Sequence, residues 1–213
     1  MINTSTINKI ILDFGGVIYN IDHQKQKETF SKFGLDNFEE LYSQARQSPL
    51  FSDFECGKIS SNAFRSEVND MLGNRFSESK IDIAWNSILI GFPTENVKLL
   101  EQLSKHYTIY LLSNTNAIHY NVYINEFRDK FGYDFNALFE KSFWSFKVGM
   151  RKPNHNIYKH VVSECGINDV NTLFIDDTQV NVTTAKEARI NSYWLKPGKK
   201  LKDLFDSQYV LRL

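Results

Sequence analysis

Hydrophobic positions along the chain fall into two textures. Ile10-Ile11-Leu12, Tyr107 to Leu112 and Thr172 to Ile175 are short apolar runs without polar alternation, the signature of strands covered on both faces. Elsewhere apolar residues recur at three- and four-residue spacing, as on amphipathic helices. The first run stops at Asp13, and the pair Gly15-Gly16 follows, where the missing Cβ atoms let the backbone turn sharply. From Ile18 to about residue 91 the texture is helical. Helices are predicted over His23 to Phe33, stopped by Gly34, and over Asp36 to Gln47, broken at Ser48-Pro49. A third, capped by Ser60 or Ser61, carries Ala63, Phe64, Val68, Met71 and Leu72, and a fourth spans Glu78 to Ile90. No strand signal interrupts this stretch, so it reads as an inserted helical block.

Phe92-Pro93-Thr94 restarts the alternation. A helix over Asn96 to Lys105 precedes the Tyr107 to Leu112 strand. An extended segment is predicted over Leu138 to Phe146, a helix over Asn154 to Cys165 with Gly166 as its stop, the Thr172 strand, a helix over Val180 to Arg189, and a short strand over Ser192 to Leu195. Strands alternating with helices imply parallel βαβ units. The expected fold is α/β, a three-layer Rossmann-like parallel sheet core with an inserted α-helical cap. Residues 1–17 and 92–213 would form the core and 18–91 the cap.

Composition narrows the partners. The 213 residues carry 25 basic and 25 acidic side chains, so no net field recruits nucleic acid or an anionic membrane surface. No apolar run approaches the ~18 residues that span a bilayer. The polar MINTSTINK start lacks a basic segment followed by an apolar signal core, which predicts a soluble, cytoplasmic protein. Cys56 and Cys165 are too few for a disulfide framework and read as free thiols. The neutral surface fits a monomer or a homodimer.

Candidate chemistry lies at the strand ends. Asp13, Ser113-Asn114 and Asp176-Asp177 each close a predicted strand, and in a parallel sheet those ends share one crevice. Arg151-Lys152-Pro153 stands just before a helix, from where Lys152 can reach the same crevice. Each group alone has an ordinary explanation, Asp13 and Ser113-Asn114 as caps or turns and Lys152 as a surface lysine. Together they make a kit for phosphoryl transfer. Clustered carboxylates repel one another unless a cation sits between them, and hard oxygen ligands suit Mg²⁺. Asp13 would attack phosphorus to give an aspartyl-phosphate. Ser113, Lys152 and backbone N–H groups near Gly15 and Gly16 would hold the phosphate oxygens. The substrate would be a small phosphorylated molecule.

The set Asp13-Phe14-Gly15-Gly16-Val17, Ser113-Asn114, Lys152-Pro153 and Asp176-Asp177 resembles the four motifs of the haloacid dehalogenase (HAD) superfamily. Leu112 to Asn116, Gly149 to Pro153, Phe174 to Asp177 and Glu55 to Phe64 most resemble the sugar-phosphatase subgroup typified by bacterial α-D-glucose-1-phosphate phosphatase. The resemblance implies Asp13 as nucleophile, Ser113 and Lys152 as phosphate ligands, and Mg²⁺ held by Asp13, Asp176 and the Gly15 carbonyl with Asp177 in support. It also implies that the cap loop around Phe54, Glu55, Gly57 and Lys58 selects the leaving group; Gly15, Gly16, Glu55, Lys58 and Arg151 are the candidate substrate-binding residues. One position departs from most phosphatases of the superfamily: Gly15 stands where a general acid is usual. Asp22 or His23 is a candidate replacement. A metal-independent 2-haloacid dehalogenase and a low-turnover sugar-phosphate sensor are the rival expectations. His106, His119, His155 and His160 lack metal-ligand spacing and read as structural or surface residues.

Overall fold

The computed structural model describes residues 2–33, 49–167 and 170–213. Its centre is β1 (Lys9–Leu12), flanked in a five-stranded parallel sheet by β4 (Thr108–Ser113) and β6 (Thr172–Asp176), with β5 (Lys141–Trp144) and β7 (Asn191–Trp194) at the edges. Leu12 stands opposite Leu111 on one side and Ile175 on the other, so the residues that follow these strands emerge on one edge.

Period-two alternation divides the strand side chains between two cores. Ile10, Leu12, Leu111 and Ile175 pack with Val97, Leu100 and Leu103 of α5 (Thr94–Leu103) and with Tyr123 and Phe127 of α6 (Ala117–Phe131). Ile11, Tyr110, Leu112 and Phe174 face the other way, onto Ile157, Tyr158 and Val161 of α8 (His155–Cys165) and Ala185 of α9 (Gln179–Glu187). The result is the expected three-layer sandwich. The chain runs outward from β1 through β4 to β5, then returns to β6 on the opposite side. Strand order therefore reverses at β1, where open α/β sheets form their ligand crevice.

The segment between β1 and α5 holds α1 (His23–Lys32), α2 (Leu50–Glu55), α3 (Ser61–Met71) and α4 (Glu78–Asn86). Ser60 and Ser77 cap α3 and α4 through their side chains. Phe30, Phe54, Phe64, Val68, Ile81 and Trp85 form a third apolar cluster, which Ile118 of α6 joins from below. Phe54 and Phe64 stack with centroids 4.1 Å apart. The helix expected over Asp36 to Gln47 lies outside the described residues.

Two expectations need correction. The block is not purely helical: β2 (Asn20–Ile21) pairs antiparallel with β3 (Leu89–Gly91) at its base. Strands of two and three residues are too short to leave a periodic signal, and Leu89 and Ile90 had extended the apolar face of α4. The extended stretch after Leu138 is also shorter than expected. A 3₁₀ turn over Phe135–Leu138 precedes β5, and α7 (Ser145–Val148) follows at once. We propose that residues 18–91 are an inserted cap over a core of 1–17 and 92–213. The separate apolar cluster and the paired β2–β3 entry and exit support that division. Phe64 is fully buried in the cluster, so Phe64→Ala is expected to lower the free energy of unfolding by about 3–5 kcal/mol, read from urea denaturation.

Candidate active site

Asp13, Asp176 and Lys152 meet at the carboxyl edge of the sheet. Asp13 follows β1 with its N–H bonded to Ile175 O at 2.9 Å, and Asp176 ends β6. Lys152 Nζ lies 2.6 Å from Asp13 Oδ1 and 2.6 Å from Asp176 Oδ2. Its side chain is 1% exposed, so this is a buried ionic bridge. The lysine is held by the residue after β4: Asn114 Nδ2 donates to Lys152 O and Asn114 Oδ1 accepts from Lys152 N, both at 2.8 Å. That two-way clamp accounts for Asn114 directly after Ser113.

Asp176 is further fixed from α9. Thr178 N donates to its Oδ1 at 2.7 Å and Asn181 Nδ2 donates to both oxygens at 3.1 Å. Asp177 accepts from Thr178 Oγ1, and its carbonyl accepts from Trp194 Nε1 of β7 at 2.9 Å. One carboxylate oxygen from each of Asp13, Asp176 and Asp177 lies within 4.8 Å of the others. Gly16 makes room for this cluster. Its φ is +78°, and a Cβ there would sit 2.1 Å from Asp177 Oδ2.

Burial and charge act against each other here. Burial raises Asp13 to about 7, aided by Asp176 and Asp177 and opposed by Lys152. Burial alone would lower the Lys152 ammonium, but the charges of Asp13 and Asp176 override it and raise the group. Asp177 is raised by burial and by Asp176. With all three carboxylates ionised, one ammonium leaves two negative charges uncompensated, and the carboxylate oxygens are hard donors in close convergence. A small divalent cation fits this donor set.

Above the acids opens a cavity of about 890 Å³ between sheet edge and helical block. Asp13, Gly15, Asn114, Lys152 and Asp177 line its floor, while Ser113 and Asp176 are buried behind that surface and Gly16 is exposed outside the lining. Glu55 and Arg151 line it too, paired through Arg151 Nε and Glu55 Oε2 at 2.8 Å across the junction of block and core. Lys58 is elsewhere. It bonds to Asp53 on the surface at 2.8 Å, because Gly57 turns the chain back against Phe146 and carries the next residue outward. The Gly16 N–H, expected to face phosphate, donates instead to Tyr19 O at 2.9 Å. Asp22 caps α1 through the N–H groups of Gln24 and Lys25, whereas His23 lines the cavity. Among residues that sequence reasoning passed over, Asn181 carried a usable signal, one helical turn beyond Asp177. Phe51, Trp85 and His119 carried none, since aromatic residues on a helix face ordinarily indicate packing.

A haloacid dehalogenase-like hydrolase family profile matches residues 7–189, and the chain belongs to that family of hydrolases. It is 28% identical over 192 residues to the D-ribitol-5-phosphate phosphatase of Bacteroides thetaiotaomicron, covering 90% of this chain and 93% of that protein. A solved HAD family enzyme from the same organism, in complex with magnesium and inorganic phosphate, superposes with a TM-score of 0.85 at 35% identity, over 94% of this chain and 100% of the other. A HAD-like hydrolase from Porphyromonas gingivalis gives a TM-score of 0.80 at 28% identity, over 91% and 93%. No helix among the described residues is long and apolar enough to cross a membrane.

The position of Asp13 has a consequence for metal-free stability. Its folded pKa lies above the unfolded value, so the contribution is full below the unfolded pKa and is lost as pH rises through about 7. Asp13→Asn removes this titration. In chelator, the unfolding free energy of the variant minus that of wild type is expected to grow by about 2–3 kcal/mol between pH 5 and pH 8, measured by urea denaturation.

Proposed function

We propose that this hydrolase is a Mg²⁺-dependent phosphatase acting on a small phosphorylated metabolite, a sugar or polyol phosphate. The observation that carries the reading is the buried Lys152 bridging Asp13 and Asp176 beside Asp177 on the floor of the cavity. A site of this charge attracts a divalent cation and, with it, a phosphate; the magnesium and phosphate of the solved relative support the same chemistry. The name of the curated relative, a D-ribitol-5-phosphate phosphatase, widens the substrate class from hexose 1-phosphates to open-chain polyol phosphates.

Asp13, Asp176 and Asp177 would hold the metal together with the Gly15 carbonyl. Bound Mg²⁺ supplies charge neutralisation and alignment of the phosphoryl group. Asp13 attacks phosphorus through a carboxylate oxygen, and the bond to the leaving oxygen breaks with its electron pair. Lys152 keeps Asp13 oriented and offsets charge on the phosphoryl oxygens, with Ser113 supporting from β4. Water then cleaves the aspartyl-phosphate at phosphorus and regenerates Asp13. Arg151, paired with Glu55, borders the path by which the ester enters.

Proton supply to the leaving oxygen is the weak step, since Gly15 has no side chain to give one. Asp22 is committed to its helix cap, which leaves His23 as the candidate of that pair. Loss of a positioned acid costs about 10² to 10⁴-fold, so turnover is expected to be modest and faster where the leaving group is an anomeric oxygen. The dehalogenase alternative fits poorly, because a metal-free site would leave Asp176 and Asp177 uncompensated beside Asp13.

The test is phosphate release from a panel of hexose 1-phosphates, polyol phosphates and nucleotides. Release is expected with Mg²⁺, absent in chelator, and reduced at least about a thousandfold in kcat/KM by Asp13→Asn. Activity that survives chelation would overturn the metal-dependent reading, and binding without release would favour a sensor.

A further inference from the structure

One part of the cavity wall is built from three stacked rings. Phe51 lies 5.3 Å from Trp85 with planes 21° apart, and Trp85 lies 5.3 Å from His119 with planes 8° apart. They come from α2, α4 and α6, so tertiary packing assembles this wall. All three line the cavity.

The polar atoms on this wall are specific. His119 Nδ1 is 2.9 Å from Asn86 Oδ1. An amide oxygen only accepts, so the assigned contact puts the imidazole proton on Nδ1 and a lone pair on Nε2. Nε2 has no hydrogen-bond partner among the described residues and is not among the buried unpartnered atoms, so it is the ring nitrogen left to meet a ligand. Burial lowers the His119 pKa to about 3, so the ring stays neutral through the physiological range. The ring of Trp85 lines the cavity, but its indole nitrogen is buried away from the open space.

A lone pair without a proton matches a hydroxyl, which can donate to it. An alkyl chain cannot donate, and a fully ionised carboxylate has no proton for Nε2. We infer that His119 Nε2 accepts a hydrogen bond from a leaving-group hydroxyl and so selects a polyhydroxylated leaving group over an alkyl or anionic one. The inference rests on the phosphatase reading of the cavity floor. His119 is thus a specificity residue, and Asn86 is a positioning residue that acts through the His119 tautomer.

His119→Phe keeps the ring and its stacking but removes the acceptor. It is expected to lower kcat/KM for D-ribitol 5-phosphate about tenfold, mainly through KM, and to leave pentyl phosphate within about twofold of wild type. His119→Gln, whose amide oxygen restores an acceptor, should recover much of the loss. Asn86→Leu, which frees the tautomer, should show a smaller loss confined to the polyol ester. Equal losses on both esters, or no loss on the polyol ester, would overturn the subsite. If the wild type hydrolyses neither ester, the phosphatase reading has failed on its own. The subsite is then decided by calorimetric titration of D-ribitol 5-phosphate: about tenfold weaker binding to His119→Phe supports it, and equal binding overturns it.

Discussion

The buried ammonium of Lys152, placed between Asp13 and Asp176, is the constraint on which the rest of the molecule depends. Taking three carboxylates and a lysine out of water is costly, and breaking one partner of such a group leaves an uncompensated buried charge. The fold meets that cost through placement. Parallel pairing of β1 with β6 brings Asp13 and Asp176 to the same edge. The Asn114 amide clamp fixes the loop that carries Lys152. Asn181 and Thr178 of the following helix region saturate the oxygens of Asp176 that the lysine leaves open. The two apolar cores on either face of the sheet supply the stability against which this polar cluster is maintained.

The same arrangement separates general chemistry from selectivity. Groups that would handle phosphate and metal come from strand ends and the loops next to them, whose positions follow from the sheet. The stacked rings come from helices packed on one another rather than from strand ends. The Glu55–Arg151 pair and the approach of Gly57 to Phe146 join the helical block to the sheet half.

Much of this was legible in the sequence, for identifiable reasons. Ile10-Ile11-Leu12 and Leu173-Phe174-Ile175 are apolar on every residue, as a doubly covered strand requires, and the polar residues that end them stand out for that reason. The order of Asp13, Ser113, Lys152 and Asp176-Asp177 then pointed to one crevice. What stayed hidden depends on tertiary neighbours. The β2–β3 ribbon is too short to show a period. Lys58 seemed suited to the cavity until the turn at Gly57 carried it to the surface. Gly16 was read as a phosphate donor, but its N–H belongs to Tyr19 and its contribution is space for Asp177. His119 was indistinguishable from a packing residue, because its partners Asn86 and Trp85 lie on a different helix.

In the proposed reaction Asp13 supplies the attacking oxygen and carries the covalent phosphoryl intermediate at this acidic cluster. The most direct measurement is to quench turnover of a polyol phosphate in Mg²⁺, reduce with borohydride and map the chain by mass spectrometry. An aspartyl-phosphate is reduced to homoserine, so conversion is predicted at Asp13 alone and only when substrate and Mg²⁺ are both present. Phosphate release that proceeds with residue 13 unmodified, or with the label on another carboxylate, would contradict the account.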